Sequence, residues 1–174
     1  MVDSQRAPRP MLLKPRIQHY PWGDEEFIPA LLGIPNPGGT RHAELWIGAH
    51  PLLPSMAVQG GVEVGLDQLI GERGAALLGS GTLRRFGRLP YLLKVLSAAR
   101  PLSIQVHPDH RQAAEGYARE NAAGIPLSAA VRSYKDDSHK PELIVALTDF
   151  WALRGFRPLE EIAAVLEETA ELRD

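Results

Sequence analysis

The chain has 174 residues, enough for one domain with a real core, and its hydrophobic fraction of 44% is ordinary for a globular protein. A formal net charge of −2, without a long basic run interleaved with aromatics, gives no electrostatic footprint for nucleic acid. No stretch approaches the roughly 20 apolar residues of a membrane span, the basic N-terminus has no apolar signal core behind it, and zero cysteines exclude disulfides and thiolate metal sites and fit a reducing cytoplasm.

Residues 1–11 read as a disordered leader. From Leu12 the chain is rich in proline and glycine, with short strand-like runs between turns. Fifteen prolines argue against a helix bundle. Ala43-Glu44-Leu45-Trp46-Ile47-Gly48-Ala49 predicts a strand. Residues 65–78 predict a short helix with a glycine break, and Arg84-Arg85-Phe86-Gly87-Arg88 a solvated loop. Residues 90–97 and 102–107 predict a β-hairpin around Ala98-Ala99-Arg100-Pro101. Its register is open, and a slip of one residue reverses the face on which Lys94 lies. The cost of burying a lysine among leucines favours the polar side. Asp109 predicts the cap of a helix over about 110–121. Residues 142–147 predict another strand, with Pro141 just before it, where a missing N–H is tolerated. After Gly155-Phe156-Arg157-Pro158 the period becomes helical through Leu159, Ile162, Ala163, Leu166 and Ala170.

The segment Pro101-Leu102-Ser103-Ile104-Gln105-Val106-His107-Pro108-Asp109 carries the most chemistry. As a strand it points Leu102, Ile104 and Val106 one way and Ser103, Gln105 and His107 the other. Gln105 and His107 can present two donor atoms to one point, and Glu142 on a separate strand can add a carboxylate oxygen. Imidazole, carboxylate and amide oxygen suit zinc or another divalent ion of borderline softness, and three protein ligands plus water is a catalytic pattern. The plainer reading of a Gln-x-His pair is a hydrogen-bonded strand face. His107 with His110 is a rival pair, splayed by Pro108 and the helix start. His19 reads best as a loop histidine beside aromatics. Trp22 and Trp46 read first as core, although an indole at a turn can also wall a sugar pocket.

Four segments, in order and spacing, resemble the type I phosphomannose isomerase family. They are Gln18-His19-Tyr20-Pro21-Trp22-Gly23, Ala43-Glu44-Leu45-Trp46-Ile47-Gly48-Ala49-His50-Pro51, Pro90-Tyr91-Leu92-Leu93-Lys94-Val95-Leu96 running into 101–109, and His139-Lys140-Pro141-Glu142-Leu143 followed by Trp151-Ala152-Leu153-Arg154-Gly155-Phe156-Arg157-Pro158. The resemblance implies a mainly β, cupin or jelly-roll core with an inserted helical domain. It implies one zinc ion and the interconversion of mannose 6-phosphate and fructose 6-phosphate in the cytoplasm, a step toward GDP-mannose. Gln105, His107 and Glu142 would be zinc ligands. Trp22, Glu44, Lys94, Ser103 and Lys140 would line the sugar-phosphate pocket. Glu44, Lys94 and Lys140 would carry the catalytic roles, with Glu44 the nominee for acid–base work.

The same resemblance implies an incomplete core. Residues 12–157 would be the N-terminal portion of the catalytic domain and 158–174 the start of the helical one. Family members are roughly twice as long or more, and supply a histidine as fourth zinc ligand, together with an arginine, from beyond this point. The expectation is an N-terminal fragment or truncated product with little activity alone. The alternative is a non-catalytic sugar-phosphate or metal-binding half-cupin completed by a partner chain. A weaker third reading is another metal-dependent cupin enzyme, such as an oxygenase.

Overall fold

The computed structural model describes residues 10–172, so residues 1–9 of the expected leader lie outside the described residues. The chain divides into two compact units, residues 1–104 and 105–174.

The first unit holds β1 (Leu12–Lys14), β2 (Arg16–Gln18), α1 (Phe27–Leu32), β3 (Glu44–Ile47), β4 (Met56–Gln59), β5 (Val62–Gly65), α2 (Leu66–Leu78), α3 (Ser80–Phe86) and β6 (Leu93–Leu96). They form two three-stranded antiparallel sheets, ordered β1-β4-β5 and β2-β3-β6. In β3 the alternation is read directly: Leu45 faces the apolar side and is 3% exposed, while Glu44 and Trp46 share the opposite face. In α2, Leu66, Leu69, Ile70 and Gly74 are buried at helical spacing, and Arg73 departs from helical geometry at the expected glycine break. Buried Ser55 ties the end of β3 to the head of α2. Its hydroxyl accepts from Gly48 N–H at 3.0 Å, its own N–H donates to Gly48 O at 2.9 Å, and its carbonyl accepts from Leu66 N–H at 2.9 Å.

The second unit holds α4 (His110–Ala122), α5 (Leu159–Glu168) and a terminal 3-10 turn (Ala170–Leu172). Asp109 caps α4 as the sequence predicts. Its carboxylate accepts from Gln112 N–H at 2.7 Å, and the Gln112 side chain accepts from Asp109 N–H at 3.0 Å, a reciprocal capping box. The buried stripe of α4 is Ala113, Gly116 and Glu120. Gly116 is glycine for lack of room: a Cβ there would lie 2.5 Å from the Tyr134 ring.

Three expectations are corrected. Residues 102–107 form no strand and no hairpin with 90–97: β6 is an edge strand whose pairing with β3 sets Lys94 opposite Trp46, and its outer edge takes no strand partner among the described residues. Residues 142–147 likewise run without strand pairing. A strand exists only with a hydrogen-bonding neighbour, and neither segment has one among the described residues; Ile104 and Val106 are each 78% exposed and Leu143 is 92% exposed. Helical residues therefore outnumber strand residues, 31% to 16%, although the sheets form the frame. Residues 84–86 belong to α3 rather than to a loop: Gly87 closes the helix at φ 65°, and Arg84 and Arg85 in its last turn complement the helix dipole.

Asp24 supports the entry to α1, accepting from the N–H groups of Glu26 at 2.8 Å and Phe27 at 2.7 Å. The Phe27 bond holds its carboxyl below the ordinary range, with lesser help from the other N–H groups and from Arg41, against an opposing effect of burial. A lowered native pKa gives stability that is present above the unfolded value and is lost as pH falls through the native one. Asp24→Ala should therefore cost about 0.5–2 kcal/mol at neutral pH. The difference should close as pH falls below the ordinary carboxylate value of about 4, as measured by urea unfolding. Equal stabilities at neutral pH would contradict this role.

Candidate functional site

The polar face of the β2-β3-β6 sheet gathers charge in the first unit. Glu44 is only 8% exposed. The Trp46 indole N–H, two residues along the same strand, donates to Glu44 Oε2 at 2.6 Å. Lys94 Nζ stands 3.6 Å from the same oxygen and 5.1 Å from the centroid of the Trp46 ring. The ring of His50 meets Trp46 edge-on at 4.7 Å. Backbone pairing continues beyond the strand ends: Ser97 N–H donates to Ala43 O at 2.8 Å and Ala99 N–H to Trp22 O at 2.9 Å. Gly23 permits that approach, since a Cβ would lie 2.6 Å from Ala43 N. Trp22 is thereby held at the sheet end, half-buried, with Tyr20 stacked on it at 5.6 Å. Burial first, and the Glu44 charge second, push the Tyr20 phenol above its ordinary range, so it stays a proton donor. Ser103 is exposed.

In the second unit, His107 Nε2 lies 3.4 Å from Glu142 Oε2. These are two of the three expected ligands. The third, Gln105, is exposed and makes no hydrogen bond among the described residues, and those residues contain no group of three or more histidine, aspartate or glutamate side chains able to hold a metal. An imidazole nitrogen and a carboxylate oxygen this close fit one divalent ion of borderline softness, with the Gln105 amide two residues from His107 as a neutral oxygen donor. The rival pair does not form as such: the His110 ring meets His139, 5.2 Å between centroids. His19 is engaged elsewhere, 2.6 Å from Arg41 O and edge-on to His42.

Upstream of Glu142, residues 125–134 are fastened to α4 by a buried ion pair. Arg132 is wholly enclosed; its Nε lies 3.0 Å from Glu120 Oε2, and it donates to Tyr134 O at 2.6 Å, Ile125 O at 2.6 Å and Asn121 Oδ1 at 2.7 Å. Glu120 also accepts from the Tyr134 N–H at 2.9 Å. Further along, one oxygen of Asp136 accepts from Ser138 N–H at 3.0 Å and the other holds Lys140 Nζ at 3.3 Å.

The Trp46–Glu44 bond, the Tyr20 stack and the Asp136–Lys140 pair are the contacts that the sequence does not announce. Two had a signal available: Trp46 follows Glu44 at i+2 on a strand, and Asp136 precedes Lys140 at i+4. The fold and these groups define a β-sheet protein with a buried carboxylate facing an exposed lysine ammonium in one unit and a close imidazole–carboxylate pair in the other. The family model described as phosphomannose isomerase type I, catalytic domain, matches residues 11–159. Mannose-6-phosphate isomerases of Salmonella typhimurium and Escherichia coli are each 48% identical over 155 residues, covering 88% of this chain and 40% of theirs. The Candida albicans enzyme is 38% identical over 168 residues, 90% of this chain and 36% of its own. A solved zinc-bound mannose 6-phosphate isomerase superposes with a TM-score of 0.83 at 48% identity, over 90% of this chain and 40% of that one. The Salmonella typhimurium enzyme bound to fructose 6-phosphate and zinc gives the same TM-score, identity and coverage. This chain belongs to the type I phosphomannose isomerase family, whose catalytic-domain model it matches over residues 11–159. It spans about 40% of the length of the bacterial relatives it matches.

Proposed function

We propose that the chain contributes the N-terminal part of a zinc-dependent aldose–ketose isomerase acting on mannose 6-phosphate and fructose 6-phosphate. The approach of His107 Nε2 to Glu142 Oε2 at 3.4 Å carries this reading, because it supplies two donors of the zinc set without help from elsewhere. The zinc-bound and fructose 6-phosphate-bound relatives support it. His107, Glu142 and Gln105 would hold the ion, which when bound supplies Lewis acidity toward a carbonyl oxygen, worth several kcal/mol of charge stabilisation.

The chain's own residues do the rest. Lys94 and Lys140 offer ammonium groups to phosphate and sugar oxygens, and their charge favours a developing enediolate. Trp22 offers an apolar wall, and Ser103 a hydroxyl, to the sugar. Glu44 removes the C2 proton of the aldose and returns it to C1. The hydroxyl proton passes from O2 to O1, so the step runs through a cis-enediol with no atom gained or lost. No helix among the described residues is long and apolar enough to cross a membrane. The absence of cysteine favours a cytoplasmic setting.

A second reading is favoured by the unpaired segments 102–107 and 142–147: a half-cupin that binds metal and sugar phosphate but turns over only when a partner polypeptide completes its sheets. Calorimetric titration of the purified zinc-loaded chain with fructose 6-phosphate, alongside an isomerisation assay, separates the two. Measurable binding with very low turnover is expected. Robust isomerisation would overturn the half-cupin reading, and an absence of binding would overturn the sugar-phosphate assignment.

A further inference from the structure

The isomerase reading leaves Trp46 with packing alone to do, yet its polar atom and its ring face are both committed to charged groups. The indole is 7% exposed, and its N–H reaches Glu44 Oε2 at 2.6 Å, short for such a bond and consistent with a charged acceptor. Lys94 approaches that same oxygen at 3.6 Å and stands over the indole ring at 5.1 Å. Strand register produces this meeting: Trp46 pairs directly with Lys94, and Glu44 precedes Trp46 by two on the same face. Glu44 Oε1 takes no hydrogen bond among the described residues, so the N–H and the ammonium pin one oxygen and leave the other turned to accept a proton.

We propose that Trp46 is a positioning residue. It clamps Glu44 through its N–H and seats Lys94 on its ring face, so that carboxylate and ammonium meet the sugar phosphate as one fixed pair. This rests on the isomerase reading for its ligand but not for its contacts. A Glu44 left free to rotate would present either oxygen and lose orientation before the proton transfer begins.

The test uses the 174-residue chain labelled with 15N at tryptophan. Glu44→Gln should move the indole N–H resonance of Trp46 upfield and leave those of Trp22 and Trp151 in place. An unmoved Trp46 signal overturns the clamp. Calorimetry then follows fructose 6-phosphate binding through a double-mutant cycle of Trp46→Phe and Glu44→Met. Trp46→Phe, which keeps a ring and deletes the N–H, should weaken binding about ten-fold, the order for a hydrogen bond to a charged group. It should add nothing once Glu44→Met is present. Additive losses, or wild-type affinity in Trp46→Phe, would overturn the positioning role. A wild-type chain that takes up no fructose 6-phosphate overturns the isomerase reading instead, while the indole shift, which needs no ligand, still decides the clamp.

Discussion

His107→Ala should empty the chain of zinc, and Glu142→Ala should do the same, if the proposed ligand set is right. The two side chains converge at 3.4 Å, and removing either would leave the other without its nearest proposed co-ligand. Losing a partner that merely orients a metal ligand already costs about 10–100-fold in affinity, so deleting a ligand should exceed that range. Elemental analysis after dialysis reads the result directly, with no need of turnover. Zinc contents equal to wild type in both variants would remove these residues from the ligand set. Gln105→Ala should lose less, because a neutral amide oxygen contributes less than imidazole or carboxylate.

Arg132→Met should lower the unfolding free energy by about 3–5 kcal/mol, the cost of leaving one member of a buried ion pair unmatched. The arginine side chain is 0% exposed and Glu120 is 11% exposed, so water cannot replace what is lost. Two backbone carbonyls also lose their donor, those of Ile125 and Tyr134. Urea denaturation followed by tyrosine and tryptophan fluorescence measures the change. A loss below about 1 kcal/mol, the size of an exposed pair, would show that the pair is not buried in solution. Because this network fastens residues 125–134 to α4, the same variant should also reduce zinc retention, through the loop that carries Glu142.

Features specified within a few residues were legible in the sequence. Asp109 with Gln112 announces α4, Pro158 precedes α5, and the alternation through Glu44, Leu45 and Trp46 fixes β3. Features that depend on a distant neighbour were not. The apolar alternation of 102–106 is as regular as that of β3, but a strand also needs a hydrogen-bonding neighbour, and this segment takes none among the described residues, although the outer edge of β6 stands open. The candidate site divides along the same line. His107 and Glu142 come together as their residue types suggest, and Lys94 lies on the polar side as the cost of burying it predicts. The Trp46–Glu44 bond went unread because tryptophan defaults to core, and Arg132 because nothing in its local sequence marks an arginine as buried.

The capping box at the head of α4 has a thermodynamic consequence. Asp109 stands two residues beyond His107, so the group that caps the helix and a proposed donor to the cation share one short stretch of backbone. Nucleation is the costly step in helix formation. An ion held by His107 would restrain the residues that must be ordered for that first turn, and a preformed first turn would in return hold His107 near its station. On the proposed ligand set, ion uptake and helix nucleation would be reciprocally linked, with the cation acting as a ligand of the folded state.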